Sequence, residues 1–469
     1  MKNSRFSYLA KNTLIFTIGN IGTKIIGFFL VPLYTNVLLK SEYGTVDLII
    51  TISTFVVPIL ICNISEAIMR FALDKGSDLN KIMSVGIAFI GISFALSLML
   101  FPLIRVYQPL SDYAWYACAY FFTSGCCSIL QYYLRGKELL LHFSIGNIIH
   151  AFSLAILNIV FLLQFHWGIT GLLSAYLISN SVTAAYAFFA GNVFDVIRHF
   201  GIDKKLSIQM LKYSIVLIPN SFMWWIMDSS DRIMLTSMIG VASTGLYAVA
   251  NKLPSIIATI SNIFNQAWNY SAIREDDSAD RESFINMVFN YLFSFVIFSG
   301  VALLLLIKPI LSVYVAESYY EAWSITPPLI VGTCILVLAT FLSSQYTVQK
   351  DSKAFLISSS IGAVVNIAFN LLLIPGFHEI GAGLATCISY MAVYSYRSYD
   401  IRRYVIIKTY SPKKIVQYVL LIIASGAVYL DSLGYYLGVG CVIAVIIINW
   451  SSWSEFFKAR FLNRKRHNF

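Results

Sequence analysis

The sequence predicts an all-α polytopic membrane protein of about fourteen transmembrane helices, with two six-helix repeats (spans 1–6 and 7–12) around a central cavity and two further C-terminal helices. Three observations predict it. Hydrophobic residues make up 58% of the 469-residue chain and charged residues only 12%, against about 25% in a soluble globular chain; mean hydropathy is +0.74. Apolar runs of about 20 residues, each enough for a membrane-spanning helix, recur along the whole length. They are continuously apolar, which excludes the alternation of a β-barrel, and backbone in lipid must bond internally, which favours helices. Last, the sequence repeats itself at a fixed interval.

Taken in order, span 1 covers 12–36 and follows Lys2, Arg5 and Lys11 without a small-residue cleavage site, so it is an uncleaved first span. Span 2 covers 43–66, and spans 3 and 4 cover 82–104 and 113–134. Spans 5 and 6, at 139–163 and 168–190, complete an N-terminal bundle over 1–190. A cytoplasmic linker follows at 191–212. The second bundle, 213–400, holds spans 7 to 12 at 213–238, 242–268, 286–307, 323–345, 354–375 and 379–398. Residues 401–469 add spans 13 and 14 at 415–430 and 434–450, then a basic cytoplasmic tail.

Charge orients these spans. With both termini placed in the cytoplasm, only Lys40, Arg105 and Lys308 of the 33 Lys and Arg fall on outer connections. Lys24, Arg232 and Lys252 fall inside spans, and all the others, Arg397 among them, face inward as the positive-inside rule requires. The net charge of +10 is therefore topogenic and meets anionic headgroups, not nucleic acid. The expected location is the cell inner membrane.

The repeat is read from "NIVFLLQFHWGITGL" at 158–172 and "NLLLIPGFHEIGAGL" at 370–384. One ungapped shift pairs Asn158 with Asn370, His166 with His378 and Gly171 with Gly383. A weaker match pairs Lys11 with Lys212 and Gly44 with Gly245, and it makes spans 1, 2, 7 and 8 matching elements. Chance similarity among apolar helices is the competing account. Repeated halves commonly place substrate between them.

Those four spans carry the intramembrane charges. Span 1 has Thr17, Asn20 and Lys24 on one face; span 2 has Asp47; span 7 has Ser221, Trp225, Asp228, Asp231 and Arg232; span 8 has Lys252, Ser255, Thr259, Asn262 and Gln266. An Asp, Lys or Arg at a helix centre costs ~2.5–3.5 kcal/mol on insertion scales, so such residues face a cavity or a partner. Pro32, Pro58, Pro219 and Pro254 interrupt the same helices. Lys24, Arg232, Lys252 and Asn20 are the candidate substrate-binding residues, and Asp47, Asp228 and Asp231 the candidates for coupling or charge tuning. Structural readings stand beside these. Asp228 and Arg232 have the i, i+4 spacing of an ion pair that braces one helix, as do Glu66 and Arg70, and Asp47 lies only a turn from the rim. Lys24 is deep for snorkelling. His150 reads as a satisfied core histidine.

Other chemistry is absent from the pattern. All seven cysteines lie in apolar segments, and the six histidines form no metal-ligand spacing, so no metal, cofactor or catalytic residue is expected.

The segment 11–53, "KNTLIFTIGNIGTKIIGFFLVPLYTNVLLKSEYGTVDLIITIS", resembles the start of Wzx-type polysaccharide flippases, in the multidrug/oligosaccharidyl-lipid/polysaccharide exporter superfamily. The likeness rests on Leu30 to Tyr34, on Tyr43-Gly44 entering span 2, and on "GITGLLSAY" and "GAGLATCIS" further along. It implies a flippase that moves undecaprenyl-pyrophosphate-linked oligosaccharide from the inner to the outer leaflet, for O-antigen, lipopolysaccharide or capsule synthesis. It also implies polysaccharide polymerase and chain-length machinery as partners beside membrane lipids, and a cationic cavity that Lys24, Arg232 and Lys252 match by type and helix. Asp47, Asp228 and Asp231 offset that charge, which keeps a second reading open: a multidrug or cation antiporter of the same fold. A third, membrane-embedded polysaccharide polymerase or ligase, would need a sizeable outer loop with catalytic residues, and every outer connection is short.

Overall fold

The architecture was obtained as a computed structural model, which describes residues 22–466 except 75, 275–279 and 350, and leaves undescribed the side chains of 451–466 and of scattered positions in two helices. Asn20 and Thr17 lie outside the described residues. Among the described residues there is no strand. Among the same residues, eight helices are long and apolar enough to cross a membrane. The protein is thus all-α and polytopic. Several expected spans are present as helices outside those eight, for physical reasons visible in their composition. Lys204–Met238 carries the acidic and basic residues of span 7, and Pro412–Ala427 is only 16 residues long. Ser352–Asp400 runs through two expected spans in one element, broken at His378.

The chain divides into two compact units, Met1–Gly245 and Leu246–Phe469. The first contains α1 (22–37), α2 (Lys40–Leu60), α3 (Ile64–Ala72), α4 (Leu79–Met99), α5 (Phe101–Val106), α6 (Ala114–Gly136), α7 (Leu140–Asn158), α8 (Gly168–Ala190), α9 (Val193–Arg198), α10 (Lys204–Met238) and the start of α11 (Val241–Ala250). Helix α6 is its hub, packed on α2, α3, α4, α7 and α8, while α10 lies against α2 and α3. Expected span 2 is two helices. Pro58 ends the ladder of α2, and Cys62 and Asn63 turn through left-handed backbone (φ 47° and 51°) before α3 begins. Arg70 pairs with Asp74 at 2.5 Å, one turn further on, not with Glu66, which meets the Tyr132 hydroxyl instead.

The second unit contains α12 (Lys252–Arg274), α13 (Arg281–Tyr314), α14 (Ala322–Val348), α15 (Ser352–Asp400), α16 (Pro412–Ala427) and α17 (Ser432–Arg466). Helix α14 is its core, packed on α12, α13, α15 and α16. Arg397, expected on an inner loop, is instead 0% exposed. The helix continues past the apolar run to Asp400. There Arg397 Nε donates to Ser358 Oγ at 3.0 Å and Nη1 to the Ala339 carbonyl at 2.9 Å. Three helical segments are pinned by this one guanidinium. Beside it, Asp351 caps α15 through the Ala354 N–H, and the Tyr404 hydroxyl, foremost, holds that carboxyl below the usual carboxylate range with help from Arg403.

Repeat-paired positions behave alike. His166 and His378 both take positive φ, 53° and 52°, uncommon for a non-glycine residue. Asn158 and Asn370 are both fully buried.

Candidate functional site

Helices α2 and α10 run antiparallel and meet through side chains one turn apart on α2. Asp47, Thr51 and Phe55 share a face because each follows the last by four residues. Opposite them stand Arg232, Trp225 and Phe222. Arg232 Nε is 2.8 Å from Asp47 Oδ2. Its N–H points off the line to the oxygen, so the contact is an ion pair rather than a directed hydrogen bond. The Trp225 indole N–H donates to the Thr51 carbonyl at 3.1 Å, and its ring stacks on Phe55 at 4.7 Å between centroids. Thr51's carbonyl thereby gains a partner beyond its own helix.

The Arg232 and Asp47 side chains are 18% and 15% exposed. They are withdrawn from solvent yet reachable. Away from bulk water the attraction between the two charges is strengthened. Asp231 next door is buried, at 2% exposed. The backbone behind Arg232 is fixed by a turn. Helix α10 ends with the Ile239 and Gly240 N–H groups on the Leu235 carbonyl, and Gly240 takes φ 136°. Helix α11 then folds back, its Thr244 hydroxyl within 2.7 Å of the Thr236 hydroxyl and donating to the Arg232 carbonyl at 3.1 Å.

The same turn allows a very close crossing. A Cβ on Gly44 would lie 2.1 Å from the Val241 carbonyl oxygen and 2.8 Å from the Gly245 nitrogen. A Cβ on Gly245 would lie 2.1 Å from the Lys40 carbonyl oxygen and 3.0 Å from the Gly44 nitrogen. The contact is reciprocal. Gly44 and Gly245 are the pair that the weaker repeat matched, and Lys40 stands to Val241 in the same register. Small residues let helix backbones approach this closely in membranes.

Of the expected site residues, the structure brings Arg232 and Asp47 together, with Asp231 adjacent. The Asp228 side chain lies outside the described residues, so its expected brace on Arg232 does too. Lys24 is exposed on α1. Lys252 is half-buried at the start of α12, in the second unit. Sequence reasoning missed the hydroxyl cluster beside Asp47. Tyr43 is buried next to Asp47 and Arg232, its ring 5.8 Å from that of Tyr34, whose hydroxyl accepts from Asn158 Nδ2 at 3.0 Å. Its signal was in the sequence, since Tyr34 and Tyr43 belong to the two motifs quoted for the family. His150 has a polar partner, Asn180 Oδ1 at 3.1 Å, and Asn180 donates to Ser124.

The fold can be compared with solved structures. The lipid II flippase MurJ, in an inward closed conformation, superposes with TM-score 0.66 at 13% identity over 96% of this chain and 100% of that one. A point mutant of the MATE transporter VcmN of Vibrio cholerae gives 0.57 at 14% over 85% and 98%. An inward-facing multidrug resistance MATE transporter of the MOP superfamily gives 0.57 at 14% over 89% and 96%. No curated protein matches the chain by sequence. The class is therefore a multi-pass helical membrane protein with the fold of these transporters. Residues 9–269, more than half of the chain, match the family of polysaccharide biosynthesis proteins, and the chain belongs to that family.

Proposed function

We propose that the protein is a flippase for undecaprenyl-pyrophosphate-linked oligosaccharide repeat units, carrying them from the inner to the outer leaflet for O-antigen or capsule-type synthesis. The observation that carries this reading is Arg232. It is a cation held between two membrane helices by Asp47, inside the 9–269 segment of polysaccharide-biosynthesis type and on a flippase fold. A pyrophosphate needs charge and several donors where water is scarce, and a guanidinium supplies both. Asp47 would orient it, Asp231 and Asp228 would tune the local charge, and Lys24, Lys252 and Asn20 would be further contacts on the substrate's path. The antiporter reading is weakened at Asp47, because a carboxylate already paired with a guanidinium has less to offer a cation.

The direct test is reconstitution. Vesicles holding the protein should expose a fluorescent lipid-linked oligosaccharide to an impermeant quencher or lectin far faster than protein-free vesicles do. Efflux of cationic dyes with no movement of the lipid-linked sugar would favour the antiporter.

The reading includes fourteen spans, two repeated bundles and cytoplasmic termini. It is supported by the charge asymmetry and by the positive φ that His166 and His378 share. Impermeant maleimide should label single cysteines at Ser318 and Asp431 in intact cells, and one at Lys204 only after permeabilisation. The native cysteines give little background, since none is exposed. Labelling of Lys204 from outside would invert the topology.

A further inference from the structure

A groove of about 630 Å³ opens between α16 and α17 in the second unit, lined by Pro412, Lys413, Val416, Ile447, Ile448 and Trp450. We propose that it holds a single anionic phospholipid, whose phosphate is met by Lys413 and whose acyl chain lies along Val416 and Ile447. Three observations carry this, and none depends on which substrate the protein moves.

The first is the apolar wall. Val416, Ile447 and Trp450 are 49%, 68% and 67% exposed. In a bilayer, side chains this apolar face lipid, and a lipid-facing groove is filled by hydrocarbon because water there lacks polar partners. What remains to decide is the headgroup.

The second is the division of labour between neighbouring lysines. Lys414 turns inward, its ammonium donating to the Lys408 carbonyl and lying 4.6 Å from the Phe289 ring centroid and 5.6 Å from that of Phe293. Lys413 faces the groove and is exposed. Among the described residues no carboxylate lines the groove, and Asp351 before α15 and Asp400 at its end are both engaged with Arg403. Arg402 and Lys408 are exposed on the connection between α15 and α16 and add positive charge to that end of the unit. A membrane-surface lysine among such charges attracts anionic headgroups over zwitterionic ones.

The third is Trp450, which closes the same end of the groove as Lys413. An indole with one apolar body and one polar N–H belongs at the headgroup level, which places Lys413 at phosphate depth.

The test is native mass spectrometry of the full-length detergent-solubilised protein titrated with dioleoyl-phosphatidylglycerol and, separately, dioleoyl-phosphatidylethanolamine. Lys413→Gln should weaken phosphatidylglycerol retention about fivefold and leave phosphatidylethanolamine unchanged, the size expected for one surface lysine. Lys413→Arg should retain the preference. Ile447→Trp, which fills the groove, should lower retention of both lipids while leaving the protein monodisperse. Equal phosphatidylglycerol retention by the native protein and Lys413→Gln would overturn the proposal. So would a groove taken by another occupant: competition by undecaprenyl phosphate that is indifferent to Lys413, or a dimer dissociated by Ile447→Trp.

Discussion

Arg232→Ala should abolish most transport, by about tenfold or more, while the protein inserts at normal abundance. The reason is the geometry around the guanidinium. Its backbone is held by the α10–α11 turn and its side chain by Asp47 at 2.8 Å, so removing it takes out charge and donors without unfolding a helix. Arg232→Lys keeps the charge and loses the planar fork, so partial activity should remain. Asp47→Asn removes the charge that orients Arg232 yet leaves the guanidinium, so it should weaken transport less than Arg232→Ala. A purely structural pair predicts another pattern. Each single change would then strand a charge at a cost of about 1–3 kcal/mol and lower abundance, and Asp47→Ala/Arg232→Ala together would restore transport. Rescue by that double change would remove Arg232 from the substrate path.

The second large effect is expected at the glycine crossing. Gly44→Ala and Gly245→Ala each place a methyl 2.1 Å from a carbonyl oxygen of the facing helix. Neither atom is the end of a flexible side chain, so the backbones must separate. Overpacking of this kind costs about 1–3 kcal/mol, and Leu in place of Ala should be worse. Thermal stability in detergent should fall for both single changes by similar amounts, because the contact is reciprocal. The double change should cost clearly less than the sum, since one separation relieves both clashes. Additive losses would show that the two sites act independently and would remove the reciprocal contact as their common cause.

Much of the fold was legible because membranes leave few choices. Continuous apolar runs predicted helices, and the run boundaries at 354–375 and 379–398 bracket the break at His378. The histidines were matched for sequence alone, and that both take positive φ became visible only in the fold. What the sequence hid was long-range. Arg232 has an acid four residues earlier and another immediately before it, and local spacing draws attention to those. Its observed partner, Asp47, comes from a different helix far along the chain. Arg397 was misread for the same reason. A cation just past an apolar run resembles a loop anchor, and only the fold shows Ser358 and the Ala339 carbonyl arriving from other helical segments to satisfy it. Glu66 and Arg70 fit a local rule that Tyr132 and Asp74 overrode.

The measurement closest to the central claim is the lipid-linked saccharide pool of a strain lacking this protein. The account predicts that an undecaprenyl-pyrophosphate oligosaccharide accumulates on the inner leaflet, inaccessible to outside lectin, and that the native gene clears it while Arg232→Ala does not. A null strain whose lipid-linked units reach the outer leaflet at the normal rate would contradict it.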